Sequence, residues 1–535
     1  MTPDEQEPEM GHDPEGEMSP EEQAAEILRS LGAEERLKEL DADLEESGDG
    51  KTSQATRLVA LARRQFRTVL GTDGKCYAVP IEGPQIALTL RGENGLRTRL
   101  ARAYFDETNS AAGASAIADA MTVLEGQAVD TDPEPVALRI AQEAGFLLLD
   151  LGTPDGCVVV IDQDHWELLD CGPVLFRRTR LTSPLPIPAW DAHDGLDRLR
   201  DLLNVSESGF RLLVAWLVAA LFPDIPHPIL ALSGEQGTAK STTGRMLVSL
   251  IDPSPAPLRA APKDARAWTV QAAASWTVML DNVSTIPAWF SDTLCKAVTG
   301  DGMVERALYT DDDVNVLSFK RVIGMTTIDA GALRGDLAER LLMVELDPIP
   351  PTKRRTDDQV KAAYEDAAPV ILGAILDLTS KVLATLPTVV VAELPRLADF
   401  AKILAAIDEI NGWTTLPDFT ALASEITEAV IDADPFADAV RGLIHQKRNW
   451  TGTAARLLEL LPPTEGAGKS WPRTARGVSG HLRRVAPALR KHGIGIDFIR
   501  GSDQHHTRLI ALSVGNGPIQ PSEPSEPSEI PFDLH

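Results

Sequence analysis

Apolar positions change their spacing several times along this 535-residue chain, and each change marks an expected boundary. Across residues 53–190 the spacing is mixed, predicting a small α+β domain. "GLRTRLARAYFDE" and "GASAIADAMTVLEGQA" repeat at helical intervals, whereas "VALRIA", "GFLLLDLG", "CVVVID" and "VLFRRT" are short β-rich runs with the turn "TPDG" between two of them. "GLDRLRDLLNVSESGFRLLVAWLVAALF" reads as two helices. Apolar strands and helices then alternate to about Leu346, the order of an α/β domain over 191–350. Helical spacing resumes in "DDQVKAAYEDAAPVILGAILDLTSKVLATL" and runs to Ile431, predicting a helical lid over 351–434. Residues 435–513 predict three helices, the second capped at Thr451 or Thr453, and then the runs "IGIDFIRG" and "HHTRLIAL" joined by a polar turn. Helices followed by such a hairpin spell a winged helix. At the ends, residues 1–52 are too acidic and too poor in aromatics to bury a core, and 514–535 hold a Pro-Ser-Glu repeat that does not pack.

Composition sharpens this outline at two places. The net charge is −28, yet residues 435–513 carry 13 bases against 5 acids, so one basic module stands in an acidic background. That asymmetry points toward nucleic acid. Cys76, Cys157, Cys171 and Cys295 lie far apart without a C-x-x-C pair, which excludes a disulfide framework or zinc motif of ordinary spacing. No run of 18 apolar residues occurs and the first residues are acidic rather than basic and apolar, so a cytoplasmic protein without a membrane role is expected.

Chemistry concentrates after the strand "PILAL". The following stretch, Gly234, Glu235, Gln236, Gly237, Thr238, Ala239, Lys240, Ser241 and Thr242, has the parts of a phosphate-binding loop opening a helix. The glycines allow the turn, Lys240 reaches terminal phosphates of ATP, and Ser241 offers a hydroxyl to Mg²⁺. Ala239 stands where glycine is commonest, which is tolerable if its φ is negative. Some forty residues on, "SWTVMLDNVS" ends a strand in Asp281, a second metal ligand. Asn282 follows, where many ATPases place the glutamate that polarises water; an amide orients water but takes no proton. "SFKRVIGMTTID" is a further strand ending in Thr326 and Thr327, and "LRGDLAERLLMVEL" brings Arg340 to the start of another.

From Pro228 to Leu346 this order of motifs resembles the superfamily 3 helicases and the ATPase half of phage and poxvirus-type primase-helicases, within the AAA+ class. The segment from Trp289 to Thr327, with its core at Leu294 to Asp301, resembles an extra motif that those helicases carry between the metal-binding and sensor strands. The likeness extends over residues 55–512 to ATP-binding replication proteins of actinobacterial phages and integrative elements. It implies an AAA+ P-loop core and a homo-hexameric ring that threads single-stranded DNA at the cost of ATP. Lys240 and Ser241 would bind phosphate and metal, Asp281 the metal, Thr327 would be the γ-phosphate sensor and Arg340 the finger reaching a neighbour's ATP. Thr327 departs from the family's asparagine. The pore hairpin has the acidic tip Asp311 to Asp313, flanked by Lys296, Arg306, Lys320 and Arg321 as candidate DNA contacts.

In the basic module the third helix carries Arg476, Arg483, Arg484, Arg490 and Lys491, and the wing adds Arg500 and Arg508, a set suited to duplex phosphates. Two rival readings stand beside the helicase: an ATP-switched initiator with little hydrolysis, motivated by Asn282, and a primase-helicase using Asp162 and Asp164. The tail ends in an apolar cluster with Phe532 and Leu534, a candidate peptide for a host replication protein.

Overall fold

The computed structural model describes residues 53–92, 94–300, 303–306, 314–317, 320–327, 335–432, 434–463, 471–500 and 507–515. The acidic arm 1–52, the hairpin tip Asp311 to Asp313, and Phe532 and Leu534 lie outside them. The first described helix, α1 (Gln54–Gln65), is capped by Ser53, whose hydroxyl accepts from the Thr56 amide. It leads into an antiparallel sheet of β1 (Phe66–Leu70), β2 (Cys76–Pro80) and β3 (Leu88–Thr89). Helices α2 (Leu96–Thr108) and α3 (Ala114–Val129) pack beside it around Leu58, Leu96, Leu100, Met121 and Leu124.

The short strand β4 (Val136–Ala137) is followed by an antiparallel meander, β5 (Ile140–Glu143), β6 (Phe146–Asp150), β7 (Val158–Ile161) and β8 (Trp166–Leu169). Strand β9 (Leu175–Phe176) then pairs parallel with β4. The meander does not own its core. Leu147, Leu149, Val159 and Trp166 share one apolar cluster with Leu213, Leu247, Leu342 and Ile375, so the boundary expected at residue 190 runs through continuous packing. A buried ion pair fastens the same junction: Arg139 Nε donates to Asp252 Oδ1 at 2.9 Å, while its other nitrogens donate to the Asp150 and Ser183 carbonyls.

Helices α4 (Gly195–Leu202) and α5 (Glu207–Ala219) come next; α5 is buried on nearly every side because it sits inside the molecule. The chain then alternates through β10 (Ile229–Ser233), α6 (Lys240–Ile251), β11 (Leu258–Arg259), α7 (Ala265–Ala273), β12 (Thr277–Leu280) and α8 (Ala288–Thr299). The antiparallel pair β13 (Met303–Arg306) and β14 (Val314–Leu317) precedes β15 (Val322–Thr326), α9 (Gly335–Ala338) and β16 (Leu341–Glu345). These strands build one parallel sheet in the order β11-β12-β15-β10-β16. Strands β10, β12 and β15 are almost wholly buried, as parallel strands covered on both faces must be.

Helix α10 (Asp357–Thr385) starts in a capping box formed by Thr356 and Gln359. It is long and apolar enough to cross a membrane, but 67% of its apolar window is buried in the protein core. Helix α11 (Ala398–Asn411) packs against it, and α12 (Thr415–Asp432) packs on α11 and α5. The C-terminal part runs α13 (Pro435–Lys447), β17 (Asn449–Gly452), α14 (Ala454–Leu460), α15 (Ala475–Lys491), β18 (Ile494–Arg500) and β19 (Arg508–Val514). Its sheet order is β17-β19-β18, around a separate core containing Phe436, Leu457, Trp471, Leu482 and Ile510. Thr453 caps α14, accepting from the Arg456 amide, while Thr451 lies in β17.

Candidate functional site

The loop between β10 and α6 turns on three residues with positive φ: Gly234 at 137°, Gly237 at 87° and Ala239 at 61°. A Cβ on Gly234 would lie 2.8 Å from the Leu346 carbonyl oxygen, so this position has both a conformational and a steric need for glycine. Ala239 corrects the expectation of negative φ there. It adopts the left-handed conformation that glycine takes without cost, and for an L-residue this costs on the order of 1 kcal/mol. Lys240 Nζ lies inside the loop, donating to the Gly234 and Glu235 carbonyls at 2.7 and 2.8 Å.

Three adjacent parallel strands deliver the remaining groups at their carboxyl ends. Ser241 Oγ, one residue into α6, donates to Asp281 Oδ1 at 2.8 Å. Thr326 Oγ1, at the end of β15, donates to the same oxygen at 2.6 Å and accepts the Asn282 amide at 2.8 Å. Asn282 has φ 54°, a left-handed conformation that asparagine tolerates, and its side chain is exposed at the strand end. Thr327, singled out by sequence, is buried and its amide donates to the Leu232 carbonyl. Thr326 is the hydroxyl that holds the aspartate.

Asn204 had no sequence signal at all. Its Nδ2 donates to the Thr238 carbonyl at 2.9 Å and to the Asp347 carbonyl at 2.6 Å, tying the loop to the chain leaving β16. It lies 34 residues upstream of Thr238 in "LLNVSESG", a stretch without motif character.

Other expected residues are scattered. Arg340 stands at the start of β16, where its carbonyl accepts the Ile229 amide, at the end of the sheet away from the loop between β10 and α6. Its guanidinium is turned inward, with Nη1 3.4 Å from Cys295 Sγ. Arg321, expected on a DNA surface, is instead buried. It donates to the Ala272 carbonyl at 2.5 Å and the Lys320 carbonyl at 2.6 Å, and burial pulls its guanidinium down to about 9. Lys320 Nζ donates to the Asp224 carbonyl. Lys296 is exposed on α8, and the Arg306 side chain lies outside the described residues. Asp162 closes the β7–β8 turn, accepting the Asp164 and His165 amides at 2.8 and 2.7 Å. Asp162 and Asp164 thus lie in a hairpin turn, and among the described residues no three His, Cys, Asp or Glu side chains gather as a metal site.

A second constellation lies in the C-terminal part. Arg476 and Arg483 on α15, and Arg500 and Arg508 on the β18–β19 hairpin, line one open groove of about 970 Å³. Arg500 and Arg508 are direct cross-strand partners, an arrangement that repels and costs stability. Arg483 lies over the Phe498 ring at 4.5 Å, which fixes its direction. Arg484 and Arg490 do not line this groove. Arg484 approaches His481 Nδ1 at 3.4 Å, and Arg490 donates to the Ile496 carbonyl at 2.7 Å; the Lys491 side chain lies outside the described residues.

The chain is similar to known proteins in sequence family and to several solved structures. The family model of the actinomycete integrative conjugative element replication protein matches residues 196–429, and the model of that family's C-terminal domain matches 436–526. Among solved structures, the apo C-terminal region of NrS-1 is 11% identical over 87% of this chain and 100% of that one, at a TM-score of 0.36. The active helicase Cch of SCCmec type IV is 12% identical over 84% of this chain and 93% of that one, at 0.43. JCV helicase is 12% identical over 45% and 74%, at 0.22. No curated protein matches the chain. The two family models together span more than half of the sequence, one running through the glycine loop after β10 and the other through the arginine groove. The chain therefore belongs to the family of actinomycete integrative conjugative element replication proteins.

Proposed function

We propose that this replication protein is an ATP-dependent DNA helicase of the AAA+ class, with a lid in 351–434 and a winged helix in 435–513. The observation that carries the reading is the meeting of Ser241, Asp281 and Thr326 beside Lys240 at the carboxyl ends of three neighbouring parallel strands. A hydroxyl and a carboxylate 2.8 Å apart are hard oxygen donors of the kind Mg²⁺ takes, and Mg²⁺ bound there would neutralise charge on the transferring phosphate. Lys240 would exchange the loop carbonyls for the β and γ phosphates, and the loop amides would cradle them. Thr326 keeps the aspartate in position, and Asn282 orients the attacking water. Arg340 would act on a neighbour's ATP in a hexameric ring, which requires its guanidinium to leave Cys295. Single-stranded DNA would pass the pore near Lys296 and Arg306, and the winged helix would hold duplex through Arg476, Arg483, Arg500 and Arg508.

The exposed amide of Asn282 favours one competing reading, an initiator that assembles with ATP and hardly hydrolyses it. Steady-state ATP turnover with and without single-stranded DNA separates the two. The helicase reading expects turnover that DNA stimulates and that Lys240→Ala removes. Tight ATP binding with negligible turnover under both conditions would select the switch.

A further inference from the structure

Asn204 joins the loop between β10 and α6 to the segment that leaves β16, and its side chain can do so in one orientation only. Nδ2 donates to the Thr238 carbonyl at 2.9 Å and to the Asp347 carbonyl at 2.6 Å. Two facing acceptors fix the carboxamide, because its oxygen would repel both. The backbone adds further ties: the Asn204 carbonyl accepts the Asp347 amide at 2.8 Å, and Val205 forms an antiparallel bridge with Leu346. Leu346 in turn donates its amide to the Ser233 carbonyl at 2.9 Å, next to Gly234. Residues 346–347 are thus bonded both to the start of the loop and to Asn204.

The surroundings show what such a tie can move. Asn204 lies in the turn between α4 and α5. Helix α4 packs closely on α10, where a Cβ on Gly195 would meet the Val370 carbonyl and lie 2.6 Å from Ala374 Cβ. Beyond Asp347, residues 348–356 include Pro348, Pro350 and Pro351 and end in Thr356, the cap of α10. Prolines with fixed φ stiffen this connector, so a displacement at Asp347 is carried toward α10 rather than absorbed. On the loop side Thr238 is buried, and its hydroxyl donates to the Glu235 carbonyl at 3.0 Å. That same carbonyl accepts from Lys240 Nζ, so Lys240 and Thr238 share one acceptor.

We propose that Asn204 is a positioning residue that couples occupancy of this loop to the position of α10. The inference rests on the nucleotide site proposed above, and on ATP binding alone, not on hydrolysis or DNA. When Lys240 turns to phosphate, the Gly234 and Glu235 carbonyls lose a charged donor and Thr238 resettles with them. The carboxamide then carries the shift to Asp347, and the proline connector and α4 carry it to α10.

The test is hydrogen exchange of the full chain with and without Mg²⁺ and a slowly hydrolysed ATP analogue, read in residues 234–242 and 348–361. In the wild type the analogue should slow exchange in both segments. Asn204→Ala removes the carboxamide but keeps the backbone bond to Asp347, so the chain should fold. It should still show slowed exchange in 234–242 and lose most of the response in 348–361. The affinity for the analogue should change by less than about fivefold, the lower end of ordinary coupling between sites. Asn204→Asp, matched in shape but unable to donate, should behave like the alanine variant. Asn204→Gln keeps both donors and should recover part of the response in 348–361. A wild-type response in 348–361 from both the alanine and the aspartate variants would overturn the proposal and leave the nucleotide site standing. Loss in both segments together, with weakened affinity, would also overturn it, marking Asn204 as a structural support of the loop. A wild type without protection in 234–242 would remove the nucleotide site and the coupling with it. A wild type that responds in both segments yet displaces no DNA strand keeps the coupling and removes the helicase reading.

Discussion

At Ala239 a single methyl group decides how tightly the loop between β10 and α6 is specified. The motif around it was plain in the sequence, but the sign of φ was not, because alanine gives no local signal of a left-handed conformation and the loop imposes it. Ala239→Gly should leave the melting temperature unchanged or raise it. Ala239→Val, β-branched at positive φ, should cost about 1 kcal/mol or more in thermal or urea unfolding. A valine variant as stable as the parent would contradict the loop geometry. The choice between the two threonines was likewise half legible: Thr326 ends β15 and Thr327 follows it, and only the alternation of a strand resolved against its neighbours turns Thr326 toward Asp281.

His227 offers a pH test on the same scale. Burial pushes its imidazole down to about 4, against a smaller upward pull from the Ala219 and Phe222 carbonyls, which lie 3.1 and 3.0 Å from Nε2. In the unfolded chain it titrates near 6.5, so between those values the unfolded state binds the extra proton. Stability from this group is complete above about pH 6.5 and is lost as pH falls toward 4, by about 2 kcal/mol at pH 5. Urea unfolding at about pH 7.5 and about pH 5 should show that loss in the wild type and a smaller one in His227→Gln. Equal losses in both proteins would remove His227 as the cause.

Among the elements, the β18–β19 hairpin carries the clearest conflict between stability and use. Arg500 and Arg508 face one another across it, so Arg508→Glu replaces a repulsion with an ion pair. The hairpin should gain about 0.5 kcal/mol. Duplex DNA should bind more weakly, with a salt slope shallower by at least about 0.9, the share of one phosphate. Melting and anisotropy on one preparation read both signs, and a variant that binds duplex as well as the parent would take the groove out of DNA binding. Helix α15 and strands β18 and β19 were legible from "TARGVSGHLRRVAPALRKHGI" and the two runs after it, whereas β17 lies where "WTGTAARLLELL" reads as helix. The sorting of its arginines was not: Arg490 looks equivalent to Arg483 in sequence, yet it is committed to the Ile496 carbonyl. Strands β1 to β3 escaped the pattern entirely, since β3 has two residues and β1, "FRTVL", mixes polar and apolar positions at a helix end.

For the molecule as a whole, the missed feature is the shared core. Trp166 Nε1 donates to Asp377 Oδ1 at 2.7 Å across 211 residues of sequence, and no local periodicity reveals so distant a partner. The parallel order β11-β12-β15-β10-β16 is also a long-range fact, although the alternation of strands and helices announced its class. A ring makes a further demand on Arg340. Arg340→Ala should bind nucleotide normally and turn over little, and mixing it with Lys240→Ala protein should restore part of the activity at mixed interfaces. Mixtures that stay inactive beside an active wild-type monomer would contradict a shared site. The central claim, that ATP at Lys240 and Asp281 drives DNA strands apart, is tested most directly by displacement of a labelled strand from a forked duplex with ATP and Mg²⁺. The wild type should release the strand, and Lys240→Ala and Asp281→Asn should bind the fork and release none. Release by either variant, or none by a wild type that binds both the fork and ATP, would contradict it.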